Sequence, residues 1–294
     1  MARGAPPFAE SALRVSENSV LTTEWLAAHL GGPNVRVADA SWYLPQANRN
    51  PRAEYEAGHI PGAVFFDIDA ISDQKTNLPH MLPDAVAFAS HMRKLGIGDS
   101  DTVVFYDGTG IYSSPRALWM MRAMGHQKSA VLDGGLPKWR REGRSLDTAP
   151  PGPGSRHFTP RPVAAIVRDY NAMRANVESK TEQIVDARSG TRFRGEEQEP
   201  RPGVKPGHMS GAINVYYADV LNPDGTMREA GELKQLFTAR GVDLNRPIVT
   251  SCGSGITAAI LSLALERAGA SGTALYDGSW SEWGAREGAP IATG

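Results

Sequence analysis

Cysteine is the residue this chain most nearly does without: one in 294 residues, Cys252. A single thiol excludes an internal disulfide and a cysteine-based zinc cluster. Long apolar runs are missing too, so no stretch is suited to crossing a bilayer, and residues 1–10 have no apolar segment of the kind that signals export. Charge is balanced to a formal net of −1, which removes nucleic acid and anionic membranes as principal partners. These absences describe a globular, cytoplasmic protein whose thiol stays reduced, with length enough for two domains.

Cys252 lies in the run Ile248-Val-Thr-Ser-Cys-Gly-Ser-Gly-Ile-Thr-Ala258, where a β-like apolar stretch gives way to a glycine-rich turn and then to a helix-like segment. Converging peptide N–H groups and the positive end of a helix dipole stabilise a thiolate, and a strand–turn–helix junction supplies both. A lone cysteine is in general a small buried hydrophobe. Two glycines, two hydroxyls and a following helix make this one a reactive thiol instead. Gly253 and Gly255 let the backbone turn its N–H groups inward. The hydroxyls of Ser254 and Thr257 suit either of two tasks, bonding a sulfur anion or capping the helix, and the residues alone leave both open.

Compared with itself, the chain shows the same series of features twice, about 145 residues apart. Val37-Ala-Asp-Ala-Ser41 answers to Val185-Asp-Ala-Arg-Ser189, and Gly58-His-Ile-Pro-Gly-Ala63 to Gly207-His-Met-Ser-Gly-Ala212. Val104-Phe-Tyr-Asp-Gly-Thr-Gly110 answers to Val249-Thr-Ser-Cys-Gly-Ser-Gly255, and Leu132-Asp-Gly-Gly-Leu-Pro-Lys-Trp139 to Tyr276-Asp-Gly-Ser-Trp-Ser-Glu-Trp283. Ordered matches at so long a period indicate duplication of a domain rather than a solenoid. Short β-branched runs at 35–40, 103–106, 130–133, 184–187, 247–251 and 274–277 predict strands. Segments 26–30, 85–95, 113–124, 233–240 and 257–268 predict helices. The alternation predicts an α/β protein of two tandem domains, each a mainly parallel sheet with helices on both faces. The boundaries expected are 18–146 for the first domain, a Pro/Gly-rich linker over 147–165 carrying Pro150-Pro-Gly-Pro-Gly154, and 166–294 for the second. Asp107 stands in the first copy where Cys252 stands in the second, so only the second can use the thiol. The first is expected to supply packing and one wall of an interdomain cleft.

Two hydrolase classes fit poorly. A cysteine phosphatase needs an arginine six residues after the thiol to clamp phosphate, and position 258 is Ala. His59 and His208 occupy equivalent Gly-His motifs, one of them in the copy without a thiol, so both read as structural turns rather than partners of Cys252. Arg192 and Arg201 follow the first strand of the second copy, in loops that gather at the ligand crevice of open α/β sheets. They suit bidentate capture of a small carboxylate. Surface pairing with Glu196, Glu197 or Glu199 is the other reading.

The repeat, the thiol loop and the thiol-less first domain resemble the two-domain rhodanese family from about Val20 to Pro290. Cys-Gly-Ser-Gly-Ile-Thr-Ala is similar to the loop of its 3-mercaptopyruvate sulfurtransferase branch, Cys-Gly-Ser-Gly-Val-Thr-Ala, whereas the thiosulfate branch typically carries Cys-Arg-Lys-Gly-Val-Thr. Ser41-Trp-Tyr-Leu-Pro45, Phe66-Asp-Ile-Asp69, His80-Met-Leu-Pro83, Glu199-Pro-Arg-Pro-Gly203 and Asp277-Gly-Ser-Trp-Ser-Glu-Trp-Gly284 also resemble that branch. Thiosulfate is a compact dianion that calls for cations beside the nucleophile, and Gly253 and Ser254 supply none.

The resemblance implies a transferase that moves sulfane sulfur from 3-mercaptopyruvate through a Cys252 persulfide to a thiol or cyanide, releasing pyruvate. It implies catalytic roles for Cys252, Ser254, Asp69 and His80, the last three as a polar relay. It implies substrate binding by Arg192 and Arg201, with Gly253, Gly255, Ile256 and Thr257 cradling the transferred sulfur. No metal or organic cofactor is called for. The partners implied are a small sulfur donor and a thiol acceptor, a thioredoxin-like protein or a low-molecular-weight thiol. The rival readings are a thiosulfate sulfurtransferase with an unusual loop and a non-catalytic sulfur carrier or binding module on the same scaffold.

Overall fold

The structure is a computed structural model that describes residues 19–149, 151–152, 154 and 156–294. The opening segment, the first residue of the expected first domain and Pro150 and Pro153 of the expected linker lie outside the described residues.

The first sheet is built from β1 (Val20–Leu21), β2 (Val35–Asp39), β3 (Val64–Phe65), β4 (Thr102–Tyr106) and β5 (Ser129–Leu132). The second contains β6 (Val167–Arg168), β7 (Gln183–Asp186), β9 (Ile213–Asn214), β10 (Ile248–Ser251) and β11 (Thr273–Tyr276), while β8 (His208–Met209) pairs antiparallel with β12 (Ile291–Ala292). Both five-stranded sheets are wholly parallel, and their orders, β1-β5-β4-β2-β3 and β6-β11-β10-β7-β9, are the same topology twice. The central strands are buried on both faces, so they read as unbroken apolar runs such as Val103-Val104-Phe105-Tyr106. All six strands expected from sequence are present, with ends within one residue. The two-residue strands and the helices Pro51–Ala57, Tyr170–Ser179 and Gly190–Arg194 are additional.

Helices Ser114–Ala123 and Ile256–Arg267 occupy equivalent places in the two copies and pack on one another. Each is buried almost all round because one side covers its own sheet and the other meets its counterpart. A single apolar core therefore runs from Phe105 and Val131 through Leu118 and Met121 to Leu263 and Leu275. Two smaller cores cover the outer faces, around Tyr106 and Trp139 and around Tyr276 and Trp283. The ion pair Arg122–Glu266, at 2.6 Å, ties the two helices. No described helix is long and apolar enough to cross a membrane.

Among its described residues the expected linker has neither helix nor strand before Ala164, yet it is fastened down. Asp147 pairs with His59, Phe158 is buried against Phe88, and Arg161 and Val163 donate to the carbonyls of Met124 and Ala123. His59 and His208 are buried, each stacked on the ring of its own copy (Tyr55, Phe193) with Nδ1 on a main-chain carbonyl at 2.8 Å. They are structural in both copies.

The copies treat one equivalent carboxylate differently. Asp186, at the end of β7, is met by Arg188 at 2.7 Å, whereas Asp39, at the end of β2, is buried with no cation and is pushed up to about 6 by burial, against the hydrogen bonds it accepts from Ser41. A raised carboxyl value means the folded state prefers the neutral form, so this group's penalty is full above about 6 and gone below the ordinary 3.8. A tenfold change in proton affinity is worth about 1.4 kcal/mol, so Asp39→Asn should stabilise the protein at pH 8 by roughly 2–3 kcal/mol, with the advantage vanishing toward pH 4. Denaturant melts of both proteins across that range check it; a constant difference would refute the assignment.

Candidate active site

β4 and β10 are the middle strands of their sheets, and Asp107 and Cys252 follow their carboxyl ends, where parallel sheets open a ligand crevice. In the first copy the turn closes on its own side chain. The buried Asp107 carboxylate accepts the peptide N–H groups of Thr109, Gly110, Tyr112, Ser113 and Ser114 at 2.8–3.1 Å and the Ser114 hydroxyl at 2.7 Å. The turn is thus an anion cradle with a resident anion.

In the second copy the sulfur of Cys252 sits in the same place, 2% exposed, and accepts the N–H of Gly255 at 3.1 Å. Gly255 has φ 81°, in the left-handed region, and starts the helix without a side-chain cap. The capping alternative for Ser254 and Thr257 is therefore not realised. Among the described residues, the N–H groups of Gly253, Ser254, Ile256 and Thr257 and the Thr257 hydroxyl have no protein acceptor. These residues line the cleft with Cys252 and bring unused donors to it. The loop is braced from behind: Trp280 and Ser281 donate main-chain N–H groups to the carbonyls of Cys252 and Gly253, and Ser279 accepts the Cys252 N–H at 3.3 Å.

His80 reaches this loop from the first copy. Its Nδ1 lies 3.0 Å from the Ser254 hydroxyl and 3.2 Å from the Ser254 carbonyl, and its Nε2 lies 3.2 Å from Asp69. The ring is buried and meets Trp42 edge-on at 4.6 Å; the Trp42 indole donates to Asp69 at 3.0 Å. Asp69 is at the rim, its side chain 64% exposed. Partial burial opposes its ionisation, but the bonds from His80 and Trp42, with the charges of His80 and Arg201, hold the carboxyl below its usual range. An ionised Asp69 favours a proton on Nε2, and Nδ1 faces both the hydroxyl and the carbonyl of Ser254.

A cleft of about 170 Å³ opens over the sulfur, between Trp42 and Tyr112 of the first copy and Arg188, Arg192, Arg201 and Tyr216 of the second. Arg192 and Arg201 differ sharply. Arg192 pairs with the buried Glu199, which also takes Arg188 at 2.8 Å, while Arg188 is held by Asp186 and lies 4.4 Å from the Trp280 ring. Arg201 has no hydrogen-bond or ion-pair partner among the described residues. Burial and the neighbouring Arg192 pull its guanidinium below its ordinary value, against Cys252, Glu199 and Asp69, and it stays a cation. The cluster of three arginines and two acids leaves one positive charge facing the cleft. A β-carbon at Gly253 would stand 3.2 Å from the Arg192 guanidinium, so the glycine lets that arginine lie against the thiol loop.

Of the residues expected at the site, Cys252, Gly253, Ser254, Ile256, Thr257, Arg192 and Arg201 line this cleft. Gly255 supports the sulfur, and His80 and Asp69 form a row with Ser254. Sequence reading does not single out Arg188, Trp42 or Tyr112. Burial, Cys252 and Asp107 push the Tyr112 phenol up to about 12, so it keeps its hydrogen as a donor on the cleft wall.

A duplicated parallel-sheet domain with one thiol held at a strand-to-helix turn defines the rhodanese class of proteins. The profile of the rhodanese-like domain matches residues 22–142 and 169–286, and the chain belongs to that family. It is 43% identical to the 3-mercaptopyruvate sulfurtransferase of Escherichia coli (91% of this chain, 95% of that one). It is 40% identical to the mitochondrial thiosulfate/3-mercaptopyruvate sulfurtransferase 1 of Arabidopsis thaliana (97% and 80%). The crystal structure of SseA from Escherichia coli superposes with a TM-score of 0.82 at 38% identity, covering 90% of this chain and 99% of that one.

The filled cradle of the first copy yields a test. Asp107→Ala strands five N–H groups, three of them in buried hydrogen bonds, and should destabilise the protein by at least about 3 kcal/mol, while the folded fraction still loads sulfur on Cys252. Unchanged stability by chemical denaturation would mean that the carboxylate is dispensable.

Proposed function

We propose that this protein is a 3-mercaptopyruvate sulfurtransferase that works through a Cys252 persulfide. The observation that carries the reading is the source of the positive charge: none from Gly253 or Ser254 of the thiol loop itself, and two guanidinium groups on the cleft wall beside Gly253, Arg192 paired with Glu199 and Arg201 without a partner among the described residues. Planar forks on the wall, with no cation carried by the loop, fit a donor that presents a carboxylate to the wall and its sulfur to the loop better than they fit a compact dianion.

In the proposed reaction the thiolate attacks the donor sulfur, and the C–S bond breaks with its electron pair left on carbon. Arg201 and Arg192 hold the carboxylate and the keto oxygen as enolate charge develops. The proton of the donor thiol passes by way of Ser254 and His80 to that carbon, giving pyruvate and a persulfide anion, with Asp69 holding the His80 tautomer. The free N–H groups of the loop stabilise the outer sulfur as the Asp107 carboxylate is stabilised in the first copy. A second thiol, of a thioredoxin-like protein or a small molecule, then accepts that sulfur, and the thiolate returns. The first copy contributes His80, Asp69, Trp42 and Tyr112 but no nucleophile. A persistent free thiol is the ground for placing the protein in the cytoplasm.

Steady-state comparison of the two donors tests the reading. 3-Mercaptopyruvate is expected to be used with the higher kcat/KM, and Cys252→Ser to abolish transfer from either; a preference for thiosulfate would overturn the assignment. Arg201→Lys keeps the charge but loses the planar fork, and should cost roughly 1.5–3 kcal/mol in the first half-reaction, a ten- to hundredfold fall in kcat/KM. Discharge of a preformed persulfide should be nearly unaffected. Equal losses in both half-reactions would show that Arg201 supports the fold rather than the donor.

A further inference from the structure

We infer that Arg116, paired with Asp277, is the positioning residue that holds His80 on the thiol loop; the inference rests on the reading of Ser254, His80 and Asp69 as the relay of the reaction above. His80 sits at φ 62°, in the left-handed region that a residue with a β-carbon seldom adopts. No helix or strand carries it: the chain is irregular between helices Ile68–Ile71 and Ala85–Lys94. Something outside the loop must therefore fix it.

That something is one guanidinium. Arg116, on the helix that meets the second copy, is fully buried, and its Nη2 donates to the His80 carbonyl and to Asp277 Oδ1 at 2.6 Å. The other Asp277 oxygen accepts the Leu82 N–H at 2.8 Å. The loop is clamped at His80 through Arg116 and again two residues on by Asp277 itself, just past the end of β11. The far side of the same guanidinium lies against the thiol loop, where a β-carbon on Gly255 would stand 2.8 Å from Nη1. Gly255 is the residue whose N–H is on the sulfur. One side chain of the first copy thus sets His80 and Cys252 relative to each other.

A purely stabilising role explains the pair poorly. Nε and Nη1 of Arg116 are buried without an acceptor among the described residues, and the Trp119 ring at 4.3 Å offsets only part of that cost. Buried pairs of this kind are commonly no better than well-packed apolar residues for stability. What the apolar substitute lacks is the fixed direction toward a carbonyl in a strained loop.

The test is a cycle of Arg116→Lys and His80→Gln, read as single-turnover pyruvate release from 3-mercaptopyruvate and as discharge of preformed persulfide. His80→Gln is expected to slow pyruvate release about a hundredfold. Arg116→Lys should slow it between about ten- and a hundredfold, through kcat with KM changed less than about twofold, since a small misplacement of a catalytic group has that cost. Persulfide discharge should be unchanged, and Arg116→Lys added to His80→Gln should cost nothing further. Multiplying losses in the double variant, or equal losses in both half-reactions, would make Arg116 merely structural and overturn the inference. A slow His80→Gln beside an unaffected Arg116→Lys would also overturn it, leaving the relay intact. An unaffected His80→Gln would instead overthrow the relay, and this inference with it. If Arg116→Lys does not fold, Asp277→Asn is expected to show the same pattern, and the same outcomes support or overturn the inference.

Discussion

Convergence of peptide N–H groups on one anion, at the turn between a central strand and a buried helix, is the interaction on which the rest of this molecule depends. The duplicated domain builds that turn twice with different occupants, a carboxylate in one copy and a sulfur in the other. In the first copy a carboxylate takes five N–H groups and a hydroxyl, and the turn is filled by its own side chain. In the second a sulfur takes one N–H, and four more of the loop have no acceptor among the described residues. The same backbone makes a rigid internal joint in one case and a site for a transferable sulfur in the other. Replacing an acid by a thiol in a fixed cradle exchanges stability for chemistry.

Fixing the cradle also fixes the helix behind it, and here the duplication has its second effect. Because the two helices pack on each other, the residues at their amino ends are brought from both copies to one cleft. The first copy's turn, locked by Asp107, presents Tyr112, and the Ser113 hydroxyl takes the Trp42 N–H at 3.0 Å, placing the ring that braces His80 and Asp69. The absence of a nucleophile there does not make the domain idle. Its rigidity is what lets a loop with no regular structure deliver a buried histidine across the interface.

How much of this is legible in sequence follows from how local each feature is. The central strands are readable because burial on both faces leaves unbroken apolar runs, and the thiol loop because its donors are consecutive in the chain. The edge strands, two residues each, are too short to show a period. His80 and Ser254 are 174 positions apart, so only the likeness to a known family places them together. Arg188 escapes notice because Asp-Ala-Arg looks like any strand end, and Arg116 because an arginine on an amphipathic helix reads as surface, while here both sides of the helix are covered. Pairing at the surface is the alternative for both cleft arginines; it fails for Arg201, which has no partner among the described residues, and for Arg192 it holds in a buried form, through Glu199.

The central claim is that one cradled sulfur atom carries the transferred group. It is tested most directly by mixing the protein with one equivalent of 3-mercaptopyruvate and no acceptor, then measuring pyruvate and the intact mass of the chain together. The account predicts one pyruvate per chain that has gained a single sulfur atom, with the added sulfur mapping to the peptide containing Cys252. Pyruvate formed without a heavier chain, or a sulfur found anywhere other than Cys252, would contradict it.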